Sequence, residues 1–234
     1  MITIADYLNA ITSLIFIVIS VLVGFTLVSK YFKSKDKMLI YVGIAWIIIV
    51  EAWMPSAINL IYMLITTVSL PIETRVIIGN LFIPFGIVLW TFVVTQLVFT
   101  KYKKLLVIIF VILGIVFEVI MFYSIFNDIS LFVDISSDPL NTNYSIIGMS
   151  FQVVFSIITL VTGLSFSWKS IKHDNPEIKL RGKILFTAFT SFLIGSLFSI
   201  VDLYLIGSIF LITSSIFFYF GYILPDWIKS RFIK

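Results

Sequence analysis

The sequence contains no cysteine and a single histidine, His173. Without cysteine there is no disulfide, no thiolate metal site and no cysteine nucleophile. One histidine in a polar stretch leaves zinc hydrolysis without a ligand set. Charge is scarce too: Asp, Glu, Lys and Arg make up 12% of the chain, against roughly 25% in soluble domains. No glycine-rich phosphate loop precedes a helix. No pair of aspartates lies inside the apolar runs, as an intramembrane aspartyl protease would require, and the last run has no lysine for a retinal Schiff base. These absences point away from an enzyme, a cofactor and a resident metal.

What is present is apolar surface: 60% of residues are hydrophobic and 17% aromatic. Seven apolar runs fall at about 8–28, 38–70, 76–99, 105–126, 145–166, 184–202 and 205–224. A helix needs about 20 apolar residues to cross a bilayer. The expected fold is therefore all-α: an integral membrane protein whose residues 1–234 form one seven-transmembrane-helix bundle in the lipid bilayer. The stretch before the first run carries Asp6 and no basic residue. It lacks the positive start of a secretory signal, so the first run reads as a retained helix.

The loops carry the orientation. Fifteen of the sixteen Lys and Arg fall on one side: Lys30 to Lys37, Lys101 to Lys104, Lys169 to Lys183, and Lys229 to Lys234. Arg75 is the exception. The positive-inside rule then puts the N-terminus outside and the C-terminus in the cytoplasm of a multi-pass cell-membrane protein. With the basic residues serving topology, the net charge of +4 implies no nucleic-acid partner.

The second run holds the sequence Glu51-Ala-Trp-Met-Pro-Ser56. Pro55 has no N–H to give, so a helix through it should kink or open. A carboxylate at bilayer depth costs about 2.5–3.5 kcal/mol on the insertion scale for Asp and faces protein or water rather than lipid. Glu118, in the fourth run, stands as far from Leu105 as Glu51 does from Met38, 13 residues in each case. At about 1.5 Å per residue both lie roughly 20 Å deep. They could share a proton, a cation or a ligand, or each could lock helices through a separate hydrogen bond. Glu51, Trp53, Pro55, Asn80 and Glu118 are the candidate ligand-binding residues, around an opening at Pro55.

Other features are subordinate. Arg75 could form an outer ion pair with Asp202, though a solvated interfacial arginine is the plainer reading. Thr187, Ser191, Gly195 and Ser199 recur every fourth residue, a small-residue stripe that suits close helix packing. Asp128, Asp134 and Asp138 do not have the spacing of a calcium-binding loop and read as a solvated outer loop. Asp174-Asn-Pro-Glu177 is a helix-start signature. Gly24-Phe-Thr-Leu-Val-Ser-Lys30 and Gly163-Leu-Ser-Phe-Ser-Trp-Lys169 echo each other, which would fit two three-helix units joined by the fourth span.

Four stretches carry a family resemblance: Glu51 to Ser56, Gly79-Asn-Leu-Phe-Ile-Pro84, Asp174-Asn-Pro-Glu-Ile178 and Phe220-Gly-Tyr-Ile-Leu-Pro-Asp-Trp-Ile-Lys229. In these the chain resembles a seven-helix membrane-protein family of Asgard-type archaea. More distantly its layout is similar to the seven-helix N-terminal sensor module of some histidine kinases, where a tryptophan and a glutamate also sit in the second span. That resemblance implies a sensing role, relayed by a separate cytoplasmic signalling partner.

The expected function is a receptor-like, sensory protein that binds a small-molecule or lipid ligand within the bundle. The alternative is a small-solute or ion-coupled transporter, which would need pseudo-symmetry and a path to both faces. A homo-oligomer is compatible with either.

Overall fold

A computed structural model describes residues 4–135, 139–200 and 203–233. Among these residues the chain is helical throughout, and its sole extended pairing is an isolated antiparallel bridge between Val133 and Tyr144. Seven helical segments are long and apolar enough to cross a membrane: Asp6–Ser34, Met38–Thr66, Ile72–Leu97, Thr100–Asn127, Ile146–Ile171, Pro176–Ser199 and Leu205–Ile223. The protein is an all-α, seven-helix membrane bundle.

Five spans are single helices: α1 (Ile4–Ser34), α6 (Lys103–Asn127), α7 (Ile146–Ile171), α8 (Pro176–Ile200) and α9 (Tyr204–Ile223). The second is split into α2 (Met38–Ile49) and α3 (Met54–Thr66). The third is split into α4 (Ile72–Asn80) and α5 (Ile83–Leu97). A short helix, α10 (Asp226–Phe232), follows the seventh span.

Local chemistry sets the helix starts. The Asp36 carboxylate accepts the Met38 N–H at 2.9 Å, at the head of α2. Asn175 Oδ1 accepts the Glu177 N–H at 2.8 Å, capping α8, with Pro176 in its first turn.

Glycines set the closest crossings. A Cβ on Gly24 would lie 2.8 Å from the Gly43 carbonyl oxygen, and one on Gly43 would lie 2.6 Å from that of Gly24. Gly195 and Gly207 stand in the same reciprocal relation between α8 and α9, at 2.8 and 2.9 Å. Without side chains at these points the backbones approach to contact.

Between the crossings the core is aromatic. A continuous series of ring contacts runs Phe16–Trp53 (5.1 Å), Trp53–Phe192 (5.7 Å), Phe192–Trp46 (5.8 Å), Trp46–Phe218 (4.0 Å), Phe218–Phe189 (4.7 Å) and Phe189–Trp90 (5.6 Å). It ties α1, α2, α5, α8 and α9 together across the middle of the bundle. The least covered span is the fourth, with 17% of its most apolar window buried, so most of its surface faces lipid.

The segment after α6 folds inward. Ser145 N–H donates to Phe132 O at 3.1 Å and Asp134 N–H to Asn143 O at 2.8 Å. Phe132, Val133 and Leu140 are fully buried. Asp128 and Asp134 of this segment are exposed, as expected of solvated aspartates, while its apolar residues Phe132, Val133 and Leu140 pack inward and make the segment a cap. Asp138 lies outside the described residues.

Candidate functional site

The two split spans explain each other. Residues 50–53 form a single tightened 3-10 turn rather than α-helix, and the Met54 N–H takes the Glu51 carbonyl. In an α-helix that carbonyl would have been served by residue 55, and Pro55 has no N–H to offer. The break thus begins one turn ahead of the proline. In the third span Pro84 likewise leaves the Asn80 carbonyl without its helical donor, and Leu81–Phe82 depart from the helix.

Glu51 bridges the two breaks. Its carboxyl, 4% exposed, accepts the Phe82 N–H at 3.2 Å (Oε1) and 3.0 Å (Oε2). That N–H heads α5, where exposed backbone donors and the helix dipole favour an anion. Discontinuous membrane helices commonly direct such an N-terminus at an anionic substrate. Here the chain's own side chain occupies the position.

Asn80 closes the break from the side away from the basic face. Its Nδ2 donates to Val76 O at 2.8 Å and to the Tyr144 hydroxyl at 2.9 Å, and its Oδ1 accepts from Gln152 Nε2 at 3.1 Å. Burial is the main cause that pushes the Tyr144 phenol above its ordinary value, so it is a neutral hydrogen-bonding group here. Pro55 packs on Gly79, where a Cβ would lie 2.5 Å from its Cγ.

Beside this framework lies a cavity of about 370 Å³, within the size range of small-molecule sites. Its polar lining comes from Asn9 and Ser13 of α1, Ser56 of α3, Gln152, Ser156 and Thr159 of α7, Ser196 and Ser199 of α8, and the cap residues 141–144. Trp53, Ile87 and Phe192 supply apolar walls. No charged side chain lines it among the described residues. Two buried hydroxyls in the lining, Ser196 Oγ and Thr142 Oγ1, have no hydrogen-bond partner among the described residues. Two of its walls, Trp53 and Phe192, are neighbours in the aromatic series.

The cap over the cavity hangs on Asn141. Asn9 Nδ2 and the Ser56 hydroxyl donate to its Oδ1 at 2.7 and 3.1 Å, and Arg75 Nη1 donates to its carbonyl at 2.7 Å. Asn59 Nδ2 holds the Pro139 carbonyl at 2.6 Å. Arg75, 8% exposed, is thus a buried tether rather than a solvated interfacial arginine. The Asn141 carbonyl gives its guanidinium a buried acceptor that headgroups or water would otherwise supply. Its expected partner Asp202 lies outside the described residues.

Among the candidate ligand residues, Trp53 lines the cavity, while Glu51, Pro55, Asn80 and Glu118 stand behind the wall as framework. Glu118 comes from α6, one turn beyond Gly114, whose Cβ would lie 2.9 Å from Pro84 Cβ. The second carboxyl therefore approaches the third-span break from the other side, and its buried Oε2 has no partner. The small-residue stripe divides: Gly195 makes the crossing with α9, Ser199 lines the cavity, Ser191 is buried and Thr187 is exposed on the outside of the bundle. Residues the sequence reading missed are Asn9, Ser13, Gln152, Ser156 and Thr159. Their signal was helical spacing of polar side chains in apolar runs: 9 and 13 in the first span, 152, 156 and 159 in the fifth.

On the basic face several cationic groups have defined partners. Lys30 Nζ donates to Ile223 O at 2.8 Å and Arg181 Nη1 to Tyr222 O at 2.6 Å, both serving carbonyls at the end of α9. Glu177 pairs with Arg181 at 3.0 Å and with Lys229 of α10. The Tyr222 ring stacks on Phe218, so the aromatic series continues to this cluster.

Among the described residues no group of three His, Asp or Glu side chains could hold a metal ion. Comparison of the chain with protein-family profiles, with curated proteins and with solved structures gives no match.

Proposed function

We propose that the chain is a receptor-like, sensory protein of the cell membrane that binds an uncharged, hydrogen-bonding small or lipidic molecule in the cavity. The observation that carries this reading is the lining: polar along α1, α7 and α8, free of charged side chains among the described residues, with two buried hydroxyls left over. A buried hydroxyl without a partner costs about 1–3 kcal/mol, which a neutral ligand with matching groups would recover. An anionic ligand would find no cation in the lining, and Glu51 already takes the helix end that could have received it.

In this reading the basic face is cytoplasmic by the positive-inside rule and the cavity opens outward. Trp53 and Phe192 form both the cavity wall and the start of the ring series that ends at Tyr222. Ligand contact with those two rings biases the packing of α8, α9 and the Glu177 cluster, where a separate signalling partner would read it.

The transporter reading has one observation in its favour: Gly24 packs on the second span at Ile47, and Gly163 packs on the sixth at Phe189. Against it, the second and third spans are broken, whereas α8 and α9, their counterparts in such a repeat, are continuous.

Thermal unfolding in detergent against a panel of neutral amphiphiles tests the proposal, with Ser156→Phe as the cavity-filling control. A ligand at 100 times its Kd stabilises by about 2.7 kcal/mol. A hit lost in Ser156→Phe supports the reading. Flux of that hit into proteoliposomes would replace it with transport. A panel that stabilises both proteins equally would refute the cavity as the site.

A further inference from the structure

Away from the cavity, a groove of about 570 Å³ runs along the outside of the bundle at the basic face, between the first turns of α8, the end of α9 and α10. One edge is basic: Lys179 and Lys183 stand one turn apart on α8, both exposed. The other is aromatic, with Phe217 and Phe220 of α9 and Trp227 of α10.

The lysines differ from their neighbours in having nothing to do. Lys30, Lys169, Arg181 and Lys229 each serve a carbonyl or Glu177. Lys179 and Lys183 make no ion pair or side-chain hydrogen bond with any described residue. Two unpaired ammonium groups, one helical turn apart, suit the oxygens of a phosphate. One turn further into the membrane, at Thr187, the groove is flanked by phenylalanine rings. A soluble anion would gain nothing from those rings, whereas an acyl chain would.

We propose that this groove binds an anionic phospholipid of the leaflet that the basic loops face, with the headgroup phosphate between Lys179 and Lys183 and an acyl chain along Phe217 and Phe220. Basic pockets between membrane helices at this depth are suited to anionic lipids. Trp227 and Phe232, both well exposed, lie where aromatic side chains anchor at the interface. The lipid would splint α10 to α8, beside the Lys229–Glu177 pair.

The test uses the full chain in detergent with native mass spectrometry, titrating phosphatidylglycerol against phosphatidylcholine. Lys179→Gln/Lys183→Gln is compared with Lys33→Gln/Lys104→Gln, which removes the same charge from exposed positions on the same face. Preferential binding of phosphatidylglycerol to wild type is expected. It should fall roughly thirtyfold in the first variant, as the loss of two interfacial lysines predicts, and stay near wild type in the second. Equal loss in both variants, or in neither, would overturn the site. Displacement of the lipid by millimolar glycerol 3-phosphate would overturn the lipid assignment in favour of a soluble phosphate.

Discussion

The Pro55 ring fills the notch left by Gly79, so that any side chain at position 79 would collide with it: a Cβ there would lie 2.5 Å from Pro55 Cγ and 3.1 Å from the Tyr144 hydroxyl. The broken second and third spans are keyed together at this point. From the same region Glu51 reaches across to Phe82, and Asn80 reaches up to the cap.

Gly79→Ala should therefore destabilise the protein. Alanine favours a helix over glycine by about 1 kcal/mol, but overpacking costs about 1–3 kcal/mol, and the rigid proline ring cannot move aside. Thermal unfolding in detergent reads the net loss. The double variant Pro55→Ala/Gly79→Ala should lose less than the sum of the single changes, since the collision partner is gone. Strict additivity would mean that the two residues do not interact.

Replacing Glu51 separates hydrogen bonding from charge. Glu51→Leu leaves the Phe82 N–H unserved at a helix break in a membrane span and should cost about 1–3 kcal/mol. Glu51→Gln keeps a carbonyl-type acceptor and should cost clearly less. If both variants melt at the same temperature, the Phe82 bond contributes nothing and the side chain acts through its volume.

Arg75→Gln should loosen the cap without unfolding the bundle. A hydrogen bond from a charged donor contributes about 1.5–3 kcal/mol, and Asn141 O loses one. Hydrogen exchange should accelerate at amides 140–145 and remain unchanged in α8 and α9. Uniform acceleration would mean that the arginine supports the whole fold.

Thr67 ends α3 in the left-handed region, at φ 63° and ψ 3°. That conformation costs an L-residue roughly 1–2 kcal/mol, and a β-branched side chain is among the least suited to it. Thr67→Gly should raise the unfolding temperature, by a net of about 1 kcal/mol after the greater entropy of glycine in the unfolded chain is subtracted. An unchanged or lower midpoint would mean that the bond from Thr67 Oγ1 to the Thr66 carbonyl outweighs the strain.

The spans were legible in the sequence because bilayer thickness imposes one length on every apolar run, and Pro55 announced the break in the second, whereas the break at Pro84 in the third was not foreseen. What Glu51 does at its break was not legible, because its partner is a backbone N–H that any residue at position 82 could have offered. The cavity was hidden for a related reason. Its polar lining is made of single uncharged side chains spread over the first, second, fifth and sixth spans and the cap, and only assembly brings Asn9, Gln152 and Ser196 to one place. Arg75 misled because its acceptor, the Asn141 carbonyl, belongs to a segment whose polar composition suggested exposure.

The cap fixes an order of assembly. Asn59, Arg75 and Asn80 have emerged from the ribosome long before Pro139, Asn141, Tyr144 and Gln152, their partners in the finished structure. Until those residues are made, the second and third spans sit in the bilayer with these side chains waiting for acceptors and donors encoded 64 or more positions downstream. The interior of the N-terminal half is therefore completed by the middle of the chain. A nascent chain halted before Tyr144 would hold four membrane helices, inserted but unlocked.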